Sequence, residues 1–202
     1  MTGESKELME TLAQIYIIVL APMMVYGLVS YLLCVAGYYA VAKRRGIEKP
    51  WLAWIPVGNS WILGSISDHY QLQTHYCTKN KRKVLLWLQI ILIILLILML
   101  IFAAATVLET IEAARPENQR YPFIDFWKPV RDSIRDMVLL WAVIAVVAPV
   151  LTIVQYVALY DLYRSCNPES SGLYMVLSIL LPVTLPVLVF TVRKRDLGMR
   201  GQ

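Results

Sequence analysis

The sequence predicts an all-α integral membrane protein, a bundle of four transmembrane helices, or of three plus one re-entrant segment. Three observations carry that reading. The 202 residues are 58% hydrophobic and only 16% charged, against roughly 45–50% and about 25% in soluble domains. The charges are clustered, so long stretches have nothing to present to water. Four of those stretches approach or exceed the roughly 20 apolar residues that cross ~30 Å of hydrocarbon. In lipid every backbone N–H and C=O must be paired within its own segment, which makes a helix the expected form.

The spans fall at about 15–42, 84–108, 138–162 and 173–192. The first ends in Lys43, Arg44 and Arg45. Glu4, Glu7 and Glu10 precede it against a single Lys6, the wrong charge for a cleavable signal, so it is expected to stay as a span. The second has no polar side chain from Ile90 to Phe102 and suits a helix facing lipid nearly all round. The others carry small and polar residues: Gly27, Ser30 and Gly37; Thr152, Gln155 and Asp161; Ser178 and Thr184. Such residues let helices approach and bond to one another, so these three spans are expected to build the interior. Gln89 and Gln155 are candidates to bond across helices.

Basic residues orient the chain. The loop 43–83 holds eight Lys and Arg against two acids, whereas 109–137 holds five against six. The positive-inside rule makes the first loop cytoplasmic, the second external and the N-terminus external. Four full crossings then leave Arg193, Lys194 and Arg195 outside, against the same rule. Pro182 and Pro186 offer another solution. Each removes a backbone donor and clashes with the preceding turn, so 173–192 either crosses or bends back to the cytoplasm.

Residues 50–67 form a broken apolar segment, interrupted by Pro56, Gly58 and Asn59 and carrying Trp51, Trp54 and Trp61. It reads as interfacial or re-entrant on the cytoplasmic side. Across 123–137, Phe123, Trp127, Val130, Ile134 and Met137 recur at helical spacing among charges, the pattern of an external amphipathic helix. A weak internal repeat pairs the first span and its broken segment with the third span and 172–192. Repeats with paired broken helices recur in transporters.

The stretches KRRGIEKPWLAWIPVGNSWILGSISD (43–68) and ALYDLYRSCNPESSGLYMVLSILLPVTLPVLVFTVRKRDLGM (158–199) carry a resemblance. The chain resembles a family of small uncharacterised bacterial polytopic membrane proteins. The resemblance implies a bacterial inner-membrane location and brings no activity with it.

Chemistry-bearing residues are few. His69, His75 and Cys77, beside Asp68, are the candidate metal ligands, but their spacing fits no zinc signature. The alternative is a solvated loop over 67–80. Cys166 joins the candidate set if the turns after the first and third spans meet. Asp161 at the end of the third span is a functional candidate because ionisable groups near lipid are costly; its plainer reading is an ion pair with Arg164 one turn later. Asn59 and Asp68 complete the polar candidates. No catalytic or cofactor-binding residue is identified, because no nucleophile elbow, metalloprotease helix or phosphate-binding glycine loop is present. A net charge of +5 is assigned to topology and anionic headgroups rather than nucleic acid. The expected partners are the lipid bilayer and other membrane subunits or further copies of the chain. The leading expectation is a non-enzymatic accessory or scaffold subunit. A small oligomeric transporter or channel is the alternative, and a membrane enzyme using the His69/His75/Cys77 loop is the third.

Overall fold

The computed structural model describes residues 3–76, 80–113, 128–195 and 197, which form helices and turns without a strand among them. Three helices are long: α1 (Gly3–Arg44), α3 (Lys81–Ala113) and α4 (Lys128–Cys166). Within them Ile17–Arg44, Lys81–Leu108 and Met137–Cys166 are long and apolar enough to cross a membrane. The first two hold 28 residues each and the third 30. At about 1.5 Å per residue each exceeds the ~30 Å of hydrocarbon. Their outer surfaces are apolar: Ile18 is 70% exposed, Met23 68% and Leu100 71%. In water each such side chain would forgo roughly 1.5–3 kcal/mol of burial.

The two broken segments become two hairpins. In the first, a 3-10 turn (Pro50–Trp54) leads to Ile55, and α2 (Pro56–His75) follows. Ile55 precedes Pro56, which disfavours a helical backbone there, and it is extended at φ −94 and ψ 131. Pro56 then starts α2, where its missing N–H has no intrahelical role. The stretch from Ser67 to His75, one reading of which was a loop, is the second half of α2.

The second hairpin is the fourth apolar stretch. It is not one helix. The short helix α5 (Ser171–Leu180) stops at Leu181, a 3-10 turn (Pro182–Thr184) follows, and α6 (Leu185–Val192) completes it. Pro182 removes the donor that would continue α5. The Thr184 hydroxyl donates to the Leu181 and Leu177 carbonyls at 2.8 and 3.2 Å, which occupies acceptors at the break. The separate helix expected over 123–137 also differs. From Lys128 onward the backbone is helical and runs unbroken into α4, and residues 123–127 lie outside the described ones.

Contacts fix the direction of each limb. Ile47 N–H donates to Ala42 O at 3.0 Å, while Tyr31 Oη donates to Trp54 O at 2.7 Å. Between those points the chain climbs back along α1 by eleven helical residues, about 16 Å. α2 then descends beside α3, with Ser60 near Gln89 and Ser67 near the Lys81–Asp161 pair. In the second hairpin α5 climbs beside α4, where Ser178 meets Tyr163 and Tyr156. α6 descends beside α1, and Arg195 O accepts from Arg44 Nη2 at 3.0 Å. Both hairpins therefore leave and rejoin the same end of the bundle, the end carrying Lys43–Arg45, Lys81–Lys83 and Arg193–Arg195.

The descending limbs are exchanged. α2 packs on α4, and α6 packs on α1. The core lies at these seams: Val35 and Val41 of α1, Ile62 and Ile66 of α2, Leu162 and Tyr163 of α4, Val189 and Val192 of α6. Gly37 lets α1 approach α6, since a Cβ there would stand 2.6 Å from Val189 Cγ1. Gly27, farther up α1, faces open space.

These packing facts separate two glycines on one helix. Gly37→Val is expected to lower stability by about 1–3 kcal/mol through overpacking, whereas Gly27→Ala, mid-helix in open space, should be neutral or raise it by up to about 1 kcal/mol. Thermal unfolding of the purified variants in one detergent checks this. Equal melting losses for both would contradict the α1–α6 seam.

Candidate functional site

Three elements converge on one carboxylate. Ser67 and Gln71 lie four residues apart on α2 and so share a face. That face meets α4 at Asp161 and the first turn of α3 at Lys81. Asp161 Oδ2 accepts from Lys81 Nζ at 2.6 Å, from Gln71 Nε2 at 3.0 Å and from the Ser67 hydroxyl. The two charged side chains are each 11% exposed. Leaving water is costly for both charges, and their mutual attraction offsets that cost only with further hydrogen bonds. Ser67 and Gln71 supply those bonds. Asp161 thus finds its partner on another helix, while Arg164, one turn along α4, is exposed.

Asp68, next to Ser67, does different work. Its two oxygens accept from the backbone N–H groups of Lys81 and Arg82, at 2.9 and 3.2 Å. It caps the start of α3 from another helix, where N–H groups are unpaired and the helix dipole favours negative charge.

One to two turns higher, a second polar layer crosses the bundle. Ser60 Oγ and Gln155 Nε2 donate to Gln89 Oε1 at 3.3 and 3.4 Å. Gln89 and Gln155 do meet between helices. Beside them is a cavity of about 260 Å³. Cys34 and Tyr38 of α1, Asn59 and Ser60 of α2, and Thr152, Gln155 and Tyr156 of α4 line it, with Leu185 of α6. Asn59 sits four residues past the first hairpin's break, and Leu185 directly follows the second. The helix that follows each break therefore contributes to one cavity. Its walls offer amides and hydroxyls but no charge. Asp161 lies six residues below Gln155, about 9 Å along the axis.

At the basic end the turns after α1 and α4 meet. Arg45 Nη2 donates to Ser165 Oγ at 2.8 Å and lies 3.5 Å from Cys166 Sγ. The Cys166 thiol thus faces a cation. His69 is half-buried near this cluster, and burial, then the charge of Arg45, pushes its imidazole below the ordinary value. Among the described residues no three His, Cys, Asp or Glu side chains gather as metal ligands. Of the sequence candidates, Cys77 lies outside the described residues and His75 is described by its backbone alone.

Sequence reasoning singled out Asp161, Asp68 and Asn59, and all three have specific positions here. It missed Lys81, which reads as one more flanking anchor, and it missed Ser67 and Gln71. Their four-residue spacing on an apolar helix was the available signal. No family model, curated protein or solved structure matches this chain.

The pair makes a definite stability prediction. Lys81→Met leaves a buried carboxylate unpaired and should cost about 3–5 kcal/mol. Lys81→Met combined with Asp161→Leu should recover most of that loss. Unfolding of the single and double variants, run as a cycle, decides it. A double variant as unstable as the sum of both singles would contradict the pairing.

Proposed function

We propose that this chain is a multi-pass protein of the bacterial inner membrane that passes a small, uncharged polar solute. In this reading α1, α3 and α4 cross the bilayer, and the two hairpins enter from the cytoplasmic side and return to it. The first loop is cytoplasmic and the N-terminus external. The tail at Arg193–Arg195 then shares the cytoplasmic side, in keeping with the positive-inside rule.

The observation that carries the solute reading is the uncharged cavity lined by the helices that follow the two breaks, at Asn59 and at Leu185. Irregular backbone at membrane depth is tolerated where it is buried in protein or lines a cavity. Paired discontinuous helices around a midplane site are how many transporters bind their substrates. The lining of Asn59, Ser60, Thr152, Gln155 and Tyr156 would replace the water around hydroxyl or amide groups. Without a charge in the walls it would not compensate an ion. The Lys81–Asp161 pair below would hold the first hairpin against α4.

A second reading rests on a different observation. All α1 side chains described from Ile17 to Val29 are exposed, so that half of the helix is open to a neighbour. It favours assembly with other membrane subunits or further copies of the chain, the accessory-subunit reading.

Reconstituted vesicles separate the two. Stopped-flow light scattering with glycerol and urea should show permeation above protein-free vesicles. Asn59→Leu with Gln155→Leu should lower it at least tenfold at equal protein content. Permeation no greater than in empty vesicles would discard the solute reading and leave the accessory subunit.

A further inference from the structure

A second cavity lies on the other flank of the first hairpin, with a volume of about 490 Å³. The climbing limb (Ile47, Glu48, Lys49 and Leu52), α2 (Trp61, Ser65, Asp68, His69 and Leu72) and the start of α3 with the residue before it (Arg82 and Asn80) line it. It shares no residue with the central cavity. It belongs to the end of the bundle where the basic residues gather.

Its chemistry is mixed in an informative way. Lys49 and Arg82 bring two cations from two separate elements, and neither has an ion pair among the described residues. The Arg82 guanidinium carbon lies 5.4 Å from the centroid of the Trp61 ring, a cation–π contact. Asp68 is taken up by the start of α3. His69 Nδ1 is buried and meets no hydrogen-bond partner among the described residues. A buried nitrogen left unmet is costly, and native structures seldom leave one so. Leu52, Trp61 and Leu72 make the remaining wall apolar. Leu72 is 47% exposed, and Trp51 and Trp54 beside this limb are 56% and 50% exposed. Two cations, an unmet ring nitrogen and an apolar wall suit a phosphate ester joined to a hydrocarbon chain.

We propose that this cavity is a phospholipid site. Lys49 and Arg82 hold the headgroup phosphate, His69 Nδ1–H donates to one of its oxygens, and an acyl chain lies along Leu52, Trp61 and Leu72. Glu48 at the same site accepts from a headgroup hydroxyl, which favours a glycerol headgroup over bare phosphatidic acid. Arg binds phosphate through a planar fork and Lys as a point charge, so the two cations are not equivalent. The inference rests on the membrane reading above, since the lipid comes from the leaflet at the basic end.

Native mass spectrometry of the delipidated protein in detergent tests it. Dioleoyl phosphatidylglycerol should be retained at a stoichiometry of one, at concentrations where dioleoylglycerol, which lacks the phosphate, is not. Lys49→Gln with Arg82→Gln should weaken retention at least tenfold. His69→Leu should weaken it severalfold, and His69→Gln, whose amide can still donate, should restore most of it. Lys83→Gln with Arg164→Gln removes two exposed cations outside the cavity and should change nothing. If the Lys49/Arg82 variant fails to fold, the His69 pair decides alone. Competition by inorganic phosphate at equal affinity would assign the phosphate site to a soluble ester and overturn the lipid. Retention of dioleoylglycerol as strong as that of phosphatidylglycerol, or intact retention in the cation and His69→Leu variants, would overturn the site. The membrane reading is scored separately, by whether the protein stays in the membrane pellet after an alkaline carbonate wash.

Discussion

Proline cannot donate a backbone hydrogen bond, and two prolines decide the shape of this chain. Pro56 and Pro182 each stand where an apolar segment would otherwise continue as one helix. At both places the preceding residue leaves the helical region, Ile55 at ψ 131 and Leu181 at ψ 80. The chain turns there and comes back. Each turn keeps its polar groups occupied: Asn59 N–H donates to Ile55 O at 2.8 Å, and Thr184 covers the carbonyls below the second break. A hairpin that failed to pair these groups could not persist in a dry environment.

Turning back creates a packing problem, because two short limbs must be held between three long helices. The exchange of limbs solves it. The returning limb of the first hairpin packs on α4, and that of the second packs on α1. Polar ties then fix the register. Asp161 joins α2, α3 and α4 in one cluster, and Tyr163 with Ser178 pins α5 to α4. Arg45 and Arg44 tie the turn after α1 to Ser165 and Arg195. The same arrangement leaves two cavities with different chemistry. The uncharged one takes residues from both hairpins, and the charged one, with Lys49 and Arg82 beside Glu48 and Asp68, lies along the first hairpin and the start of α3.

Much of this was legible in the sequence because it is local. Apolar run length located the three long helices, and the prolines marked 50–67 as broken, while 173–192 stayed open between a crossing and a hairpin. Gln89 and Gln155 stood out as polar groups in apolar surroundings, and they do meet. Other features were long-range and left little trace. Nothing near Lys81 marks it as the partner of Asp161, eighty residues away. The second half of α2 reads as a loop because His, Tyr and Thr have modest helix propensity; its packing on α3 and α4 overrides that preference. Likewise, the charged stretch before the third span reads as a separate surface helix, since its apolar spacing looks complete in itself. Helical hydrogen bonding from Lys128 makes it the first turns of α4 instead.

Where the C-terminal tail lies follows directly from the second hairpin. The decisive measurement is the sidedness of reporters fused after residue 202, within 45–49 and before residue 3, read in intact cells with an enzyme active only outside the membrane and a fluorophore that folds only inside. Two hairpins that return to the basic end predict the C-terminal and first-loop reporters on the cytoplasmic side and the N-terminal reporter outside. A C-terminal reporter on the same side as the N-terminus would mean that 173–192 crosses, and would contradict the account.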